Sequence, residues 1–102
     1  MKLSELIKIK EVKIPDLDIT VKIKSELSWL EYLEGIKITD SSERGVYTIT
    51  KMIISWDITD DDGKTLPVTP ENVKVLPTRV AQVLMSEFNE MFDEKLKKKA
   101  NS

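Results

Sequence analysis

The chain has 102 residues, 40% hydrophobic and 33% charged, with three glycines and four prolines. That mix fits one globular domain over residues 1–102, excludes a disordered or fibrous chain, and contains no run near the roughly 18 apolar residues of a membrane span. The net charge of -2, from 18 acids against 16 bases, argues against nucleic acid as a partner, and the absence of cysteine and histidine removes disulfides, thiolate zinc sites and the commonest general base.

Residues 1–10 carry lysines without the long apolar stretch and cleavage site of a signal peptide, which with the lack of cysteine points to a reducing, cytosolic setting. Ile7 and Ile9 are out of phase with Val12 and Ile14, a shift that a strand bulge absorbs; alternatively, Leu3, Leu6 and Ile7 form one turn of helix before the strand starts. Val12 and Ile14 alternate with Glu11 and Lys13, and Ile19, Val21 and Ile23 alternate with Thr20, Lys22 and Lys24. With Pro15-Asp16 as turn chemistry between them, the expectation is a β-hairpin over 9–24, with strands at about 9–14 and 18–24.

Residues 25–98 read as mainly helical. Ser25 is a capping candidate, Glu26 follows in the first turn, and Leu27, Leu30 and Leu33 share a face that Gly35 is placed to terminate. Residues 36–45 read as a connection. In 46–58, Val46, Ile49, Ile53 and Trp56 recur at spacings of three and four, a helical stripe, although the segment is rich in β-branched residues. Lys51 and Ser55 share the strand face that Ile49 and Ile53 would occupy, so helix is the expectation. Asp60-Asp61-Asp62-Gly63 is a sharp turn, and Thr69-Pro70-Glu71 a helix start with hydroxyl cap, first-turn proline and acid. A long amphipathic helix follows from about Pro77 to Lys98, carried by Val80, Val83, Leu84, Phe88, Met91, Phe92 and Leu96. Asp93–Lys97 and Glu94–Lys98 are i, i+4 pairs contributing about 0.3 kcal/mol each. Lys95, Lys97, Lys98 and Lys99 read as a solvated helix end facing the negative pole of the dipole, and 99–102 as a disordered tail. The fold class is α+β: an N-terminal hairpin, several helices and a long C-terminal amphipathic helix.

No phosphate-cradling glycine motif is present. Carboxylate chemistry needs two acids across a cleft, one of them in an apolar pocket, whereas the acids here lie in turns and on polar helix faces; the expectation is a non-enzymatic protein with no cofactor. As a calcium loop with Gly63 at position 6, Asp60 and Asp62 fall on ligand positions, but Ile58 and Thr69 occupy the anchoring first and last positions. An acidic turn with a left-handed glycine is the better description, and no metal is expected. Trp56 reads as core; Trp29, beside rather than on the leucine face, is left open.

At about 100° per residue, the apolar side chains of the last helix span roughly 220°, against the roughly 100° that faces one core. Either the rest of the domain wraps this helix on both sides, or part of the arc faces a partner. Met85, Phe88, Met91, Phe92 and Leu96 are the candidate partner-binding residues, being adaptable or aromatic groups of the kind enriched at interfaces.

The order of features is informative as a whole. Val12-Lys13-Ile14-Pro15-Asp16-Leu17-Asp18-Ile19-Thr20-Val21 leads to Leu27-Ser28-Trp29-Leu30-Glu31. Then come Trp56-Asp57-Ile58-Thr59-Asp60-Asp61-Asp62-Gly63-Lys64, Val68-Thr69-Pro70-Glu71-Asn72-Val73, Leu76-Pro77 and the long helix. This resembles the small tail assembly chaperones that tailed bacteriophages encode beside their tail tube and tape measure proteins; the resemblance covers about residues 10 to 93. It implies a non-enzymatic protein of the bacterial host cytoplasm that binds the tape measure protein, helps recruit tail tube subunits and is absent from the finished particle. The family has no defined functional residues to carry over. Self-association is compatible with this reading. The rival is a structural tail or head-tail connector component retained in the virion, and a third reading is a small protein that binds a host factor.

Overall fold

A computed structural model describes the backbone of residues 1–100 and the side chains of residues 1–91. The hairpin forms as its alternation requires. Strands β1 (Ile9–Lys13) and β2 (Thr20–Lys24) pair antiparallel with Val12 opposite Val21 and Glu11 opposite Lys22. Val12, Val21 and Ile23 are buried on one face, while Glu11, Lys13 and Lys22 are exposed on the other. The turn closes through the Ile14 N–H, which donates to the Ile19 carbonyl at 3.0 Å, with Asp16 at φ 64°. The Leu3–Glu5 segment is a short 3-10 turn rather than part of a bulged strand.

The first helix starts later than expected. α1 (Trp29–Ile36) is capped by Ser28, not Ser25. Ser25 is buried instead, its Oγ accepting from the Lys8 N–H at 3.1 Å and its N–H donating to the Lys8 carbonyl at 2.8 Å, so it extends the hairpin. Gly35 lies inside the last turn of α1 rather than at a left-handed terminus. The connection expected over 36–45 is shorter, because Asp40 caps α2 (Ser41–Met52) by accepting from the Glu43 N–H at 3.0 Å. The Arg44 guanidinium returns to donate twice to the Ile38 carbonyl, at 3.0 and 2.6 Å.

Residues 46–58 are half of what the spacing predicts. The helix ends at Met52, and β3 (Ile53–Trp56) adds to the free edge of β2, giving a three-stranded antiparallel sheet in the order β1-β2-β3. The misreading has a local cause. The register of β2 and β3 shifts between Lys22 and Ile23, and that irregularity lets Ile53 and Trp56, three residues apart, both face the core. A strand with this irregularity shows the spacing of a helix.

Beyond β3, the acidic turn closes on itself. Asp60 Oδ1 accepts from the N–H groups of Asp62 (2.8 Å) and Lys64 (3.0 Å), and Gly63 adopts φ 82°. Leu66 is thereby returned beside Trp56, whose indole N–H donates to the Leu66 carbonyl at 2.7 Å. Thr69 caps α3 (Pro70–Lys74), accepting from the Asn72 N–H at 3.2 Å, with Pro70 in the first turn. α4 (Thr78–Ala100) follows. It continues through 99 and 100, where a tail was expected to begin; residues 101–102 lie outside the described residues.

The core gathers the inner face of the sheet, Ile49 and Met52 of α2, Val73 of α3, and Val80 and Leu84 of α4. Ile23, Met52, Leu84, Val21 and Val80 are completely enclosed. The outcome is an α+β fold, with the hairpin at the N-terminus and helices packed on one face of the sheet.

Candidate protein-binding surface

α1 is attached to the domain by the side that amphipathicity would turn outward. Its capping box is reciprocal: the Ser28 Oγ accepts from the Glu31 N–H at 3.1 Å, and the Glu31 carboxylate accepts from the Ser28 N–H at 2.9 Å. The same carboxylate receives the Lys24 ammonium of β2 at 2.5 Å, so the start of α1 is tied to the sheet. Burial alone would raise the Glu31 pKa, but the bonds from Lys24 and Ser28 hold it below the ordinary value. From α2, the Tyr47 hydroxyl donates to the Glu31 carbonyl at 2.9 Å. Burial, with the Glu31 and Glu34 charges nearby, pushes the Tyr47 phenol up, which keeps it a donor. Gly35 is buried directly against the Tyr47 ring: a Cβ there would stand 3.2 Å from Tyr47 Cε1.

Ser28, Glu31 and Gly35 lie on one side of a helix at about 100° per residue, and that side faces inward. Four large apolar residues of α1 are left exposed. Trp29 is 72% exposed, Leu30 67%, Ile36 53% and Tyr32 50%, with the Trp29 and Tyr32 rings stacked at 5.5 Å between centroids. The expected Leu27–Leu30–Leu33 core face is corrected accordingly: Leu27 and Leu33 are half-buried and Leu30 is in water. Fully burying a side chain of this size contributes about 1.5–3 kcal/mol, of which the isolated chain forgoes part at Trp29, Leu30 and Ile36.

Two further features of the described surface are apolar. Leu3, Leu6 and Ile9 are also exposed, and their segment is bonded through Lys8 to Ser25, just ahead of α1. On another side of α1 an open groove of about 750 Å³ runs between Leu27, Trp29 and Tyr32 on one wall, Thr48 of α2, and Phe88 and Asn89 of α4.

The candidate residues read from the last helix are placed as follows. Met85, Phe88 and Met91 are half-buried and pack against the core. Phe88 also reaches the groove, and Met85 lines a shallower depression on α4 with Ala81, Gln82 and Ser86. Phe92 and Leu96 lie outside the described side chains, as do the lysine run and the Asp93–Lys97 and Glu94–Lys98 pairs. The sequence reading missed Trp29, Leu30, Tyr32 and Ile36 as a surface. The signal was present in the helical spacing of 29, 32, 33 and 36, but that spacing alone does not say which side of the helix is docked.

Among the described residues, no group of three or more acidic side chains converges as a metal site, and no helix is long and apolar enough to cross a membrane. Comparison of the chain with protein families, characterised proteins and solved structures finds no match.

Proposed function

We propose that this protein is a non-enzymatic assembly chaperone of the tailed-phage type, working in the bacterial host cytoplasm on the tape measure protein and helping to recruit tail tube subunits. The observation that supports this reading is the outward apolar face of α1. A protein that holds an aggregation-prone helical client needs accessible aromatic and aliphatic side chains on a charged body. Trp29, Leu30, Tyr32 and Ile36 offer that surface, and the groove beside them, with Phe88 on its far wall, suits the side chains of an amphipathic helix lying across it. In this reading the candidates on α4 act where Phe88 meets the groove, and the chain binds by shape and apolar contact rather than by reaction.

The test is co-expression with a candidate tape measure protein. The chaperone reading expects more soluble tape measure protein with the wild-type chain, and loss of that gain with Trp29→Lys or Tyr32→Lys. No gain in tape measure solubility refutes it. Recovery of the chain in purified particles returns the reading of a retained tail or connector component.

A further inference from the structure

We infer that α1 is a hinged strap: it forms one wall of the groove, and it releases from the body as a unit while the sheet, α2, α3 and α4 stay folded. Release is a property of the chain alone, whatever the groove receives.

The core is complete without α1. The buried apolar side chains, and the partly buried ones packed against them, come from the sheet, the loops, α2, α3 and α4; among the described residues none comes from 24–45. Leu27 and Leu33 are half-buried but belong to neither group. A unit that shares no core with its neighbours can open without breaking theirs.

The bonds that hold α1 converge on one residue. Lys24 reaches the Glu31 carboxylate at 2.5 Å and the Tyr47 hydroxyl reaches the Glu31 carbonyl at 2.9 Å, with the Tyr47 ring against Gly35. Both bonds break together when Glu31 moves away. α1 has eight residues, too few for a helix to persist in water on its own, so release and unwinding are one event.

Both ends of the strap are fixed points. Ser25 is bonded twice to Lys8, and the Ile38 carbonyl takes two bonds from Arg44 of α2. Residues 27–37 lie between these anchors, so release is confined to that span. Toward α4 the strap meets the open groove of about 750 Å³ rather than packed side chains, which gives it room to move. The groove loses Leu27, Ser28, Trp29 and Tyr32 when the strap leaves. An occupant that touches both walls therefore holds α1 closed by mass action.

Native-state hydrogen exchange of the full chain, read by NMR, tests the strap. The amides of residues 32–36 should be protected, but at least about a hundredfold less than those of 49–52 and 80–84. Their exchange should depend little on urea below the global transition, because release exposes little surface. Val80 lies in the core that α1 does not join. Val80→Ala should speed exchange at 49–52 and 80–84 at least about tenfold and leave 32–36 within about twofold of wild type. Tyr47→Phe should speed exchange at 32–36 about fivefold, as loss of one hydrogen bond does.

Protection and urea dependence in α1 equal to those of α2 and α4 overturn the proposal, and so does an α1 with no protection at all. A Val80→Ala chain in which α1 accelerates as much as α4 overturns it as well; if that variant does not fold, the urea dependence of the wild type decides. Unchanged α1 exchange in Tyr47→Phe removes the hold assigned to Glu31. None of these measurements involves tape measure protein, so its solubility on co-expression tests the chaperone reading separately.

Discussion

Replacing Gly35 with alanine sets two effects of similar size against each other. In a helix, alanine is favoured over glycine by about 1 kcal/mol, so on a free helix surface the change would stabilise. Here the new Cβ would stand 3.2 Å from Tyr47 Cε1 and 3.4 Å from its Cδ1, and the ring must retreat by a few tenths of an ångström. The ring is held from two sides: its hydroxyl donates to the Glu31 carbonyl at 2.9 Å, and the Lys51 ammonium lies 5.7 Å from its centroid. Retreat stretches the hydroxyl bond, which contributes about 1 kcal/mol net. The expected effect of Gly35→Ala is therefore a change within about 0.5 kcal/mol of wild type. In a Tyr47→Phe background that bond is already gone and the ring can slide, so the same alanine should stabilise by about 1 kcal/mol. The difference between the two backgrounds, about 1 kcal/mol, is the coupling between α1 and α2 at this contact. Urea titrations followed by circular dichroism measure it. An alanine that stabilises equally in both backgrounds would mean that Tyr47 does not hold α1, and the account of its inverted docking would fail.

Trp29→Phe should leave urea stability within about 0.5 kcal/mol of wild type, since Trp29 lies in water, and should remove the red-shifted part of the fluorescence, leaving the blue emission of buried Trp56. Met52→Ala removes a fully enclosed side chain and should cost about 2–5 kcal/mol in the same titration. Gly63→Ala places a side chain at φ 82° and should cost about 1–2 kcal/mol. The Glu31 pKa is depressed on folding, so its contribution is complete above the ordinary glutamate value of 4.5 and is lost as pH falls through the lower folded value. Glu31→Gln should accordingly flatten the fall in stability below about pH 4.5. An acid limb as steep in the variant as in wild type would place the sensitivity elsewhere.

Much of the fold was written locally. The hairpin follows from period-two alternation around Pro15-Asp16, the acidic turn from Asp60 and Gly63, and the start of α3 from Thr69-Pro70, because in each case neighbouring residues supply both donor and acceptor. Val80 and Leu84 face the core as their spacing required. What the sequence by itself determined is thus the α+β class, these turns and the cap of α3, while any exposed apolar surface was left unplaced. Tertiary structure alone decided where that surface lies. Residues 53–56 became a strand because the edge of β2 was free to accept them, and the shift in register there hid the strand behind helical spacing. α1 turned its leucine and tryptophan side to water because Lys24, from the sheet, and Tyr47, from α2, bind its Glu31 and Gly35 side. Helical periodicity shows that a helix has two unlike faces. Which of them is buried depends on partners distant in the chain, and here those partners bound the polar one.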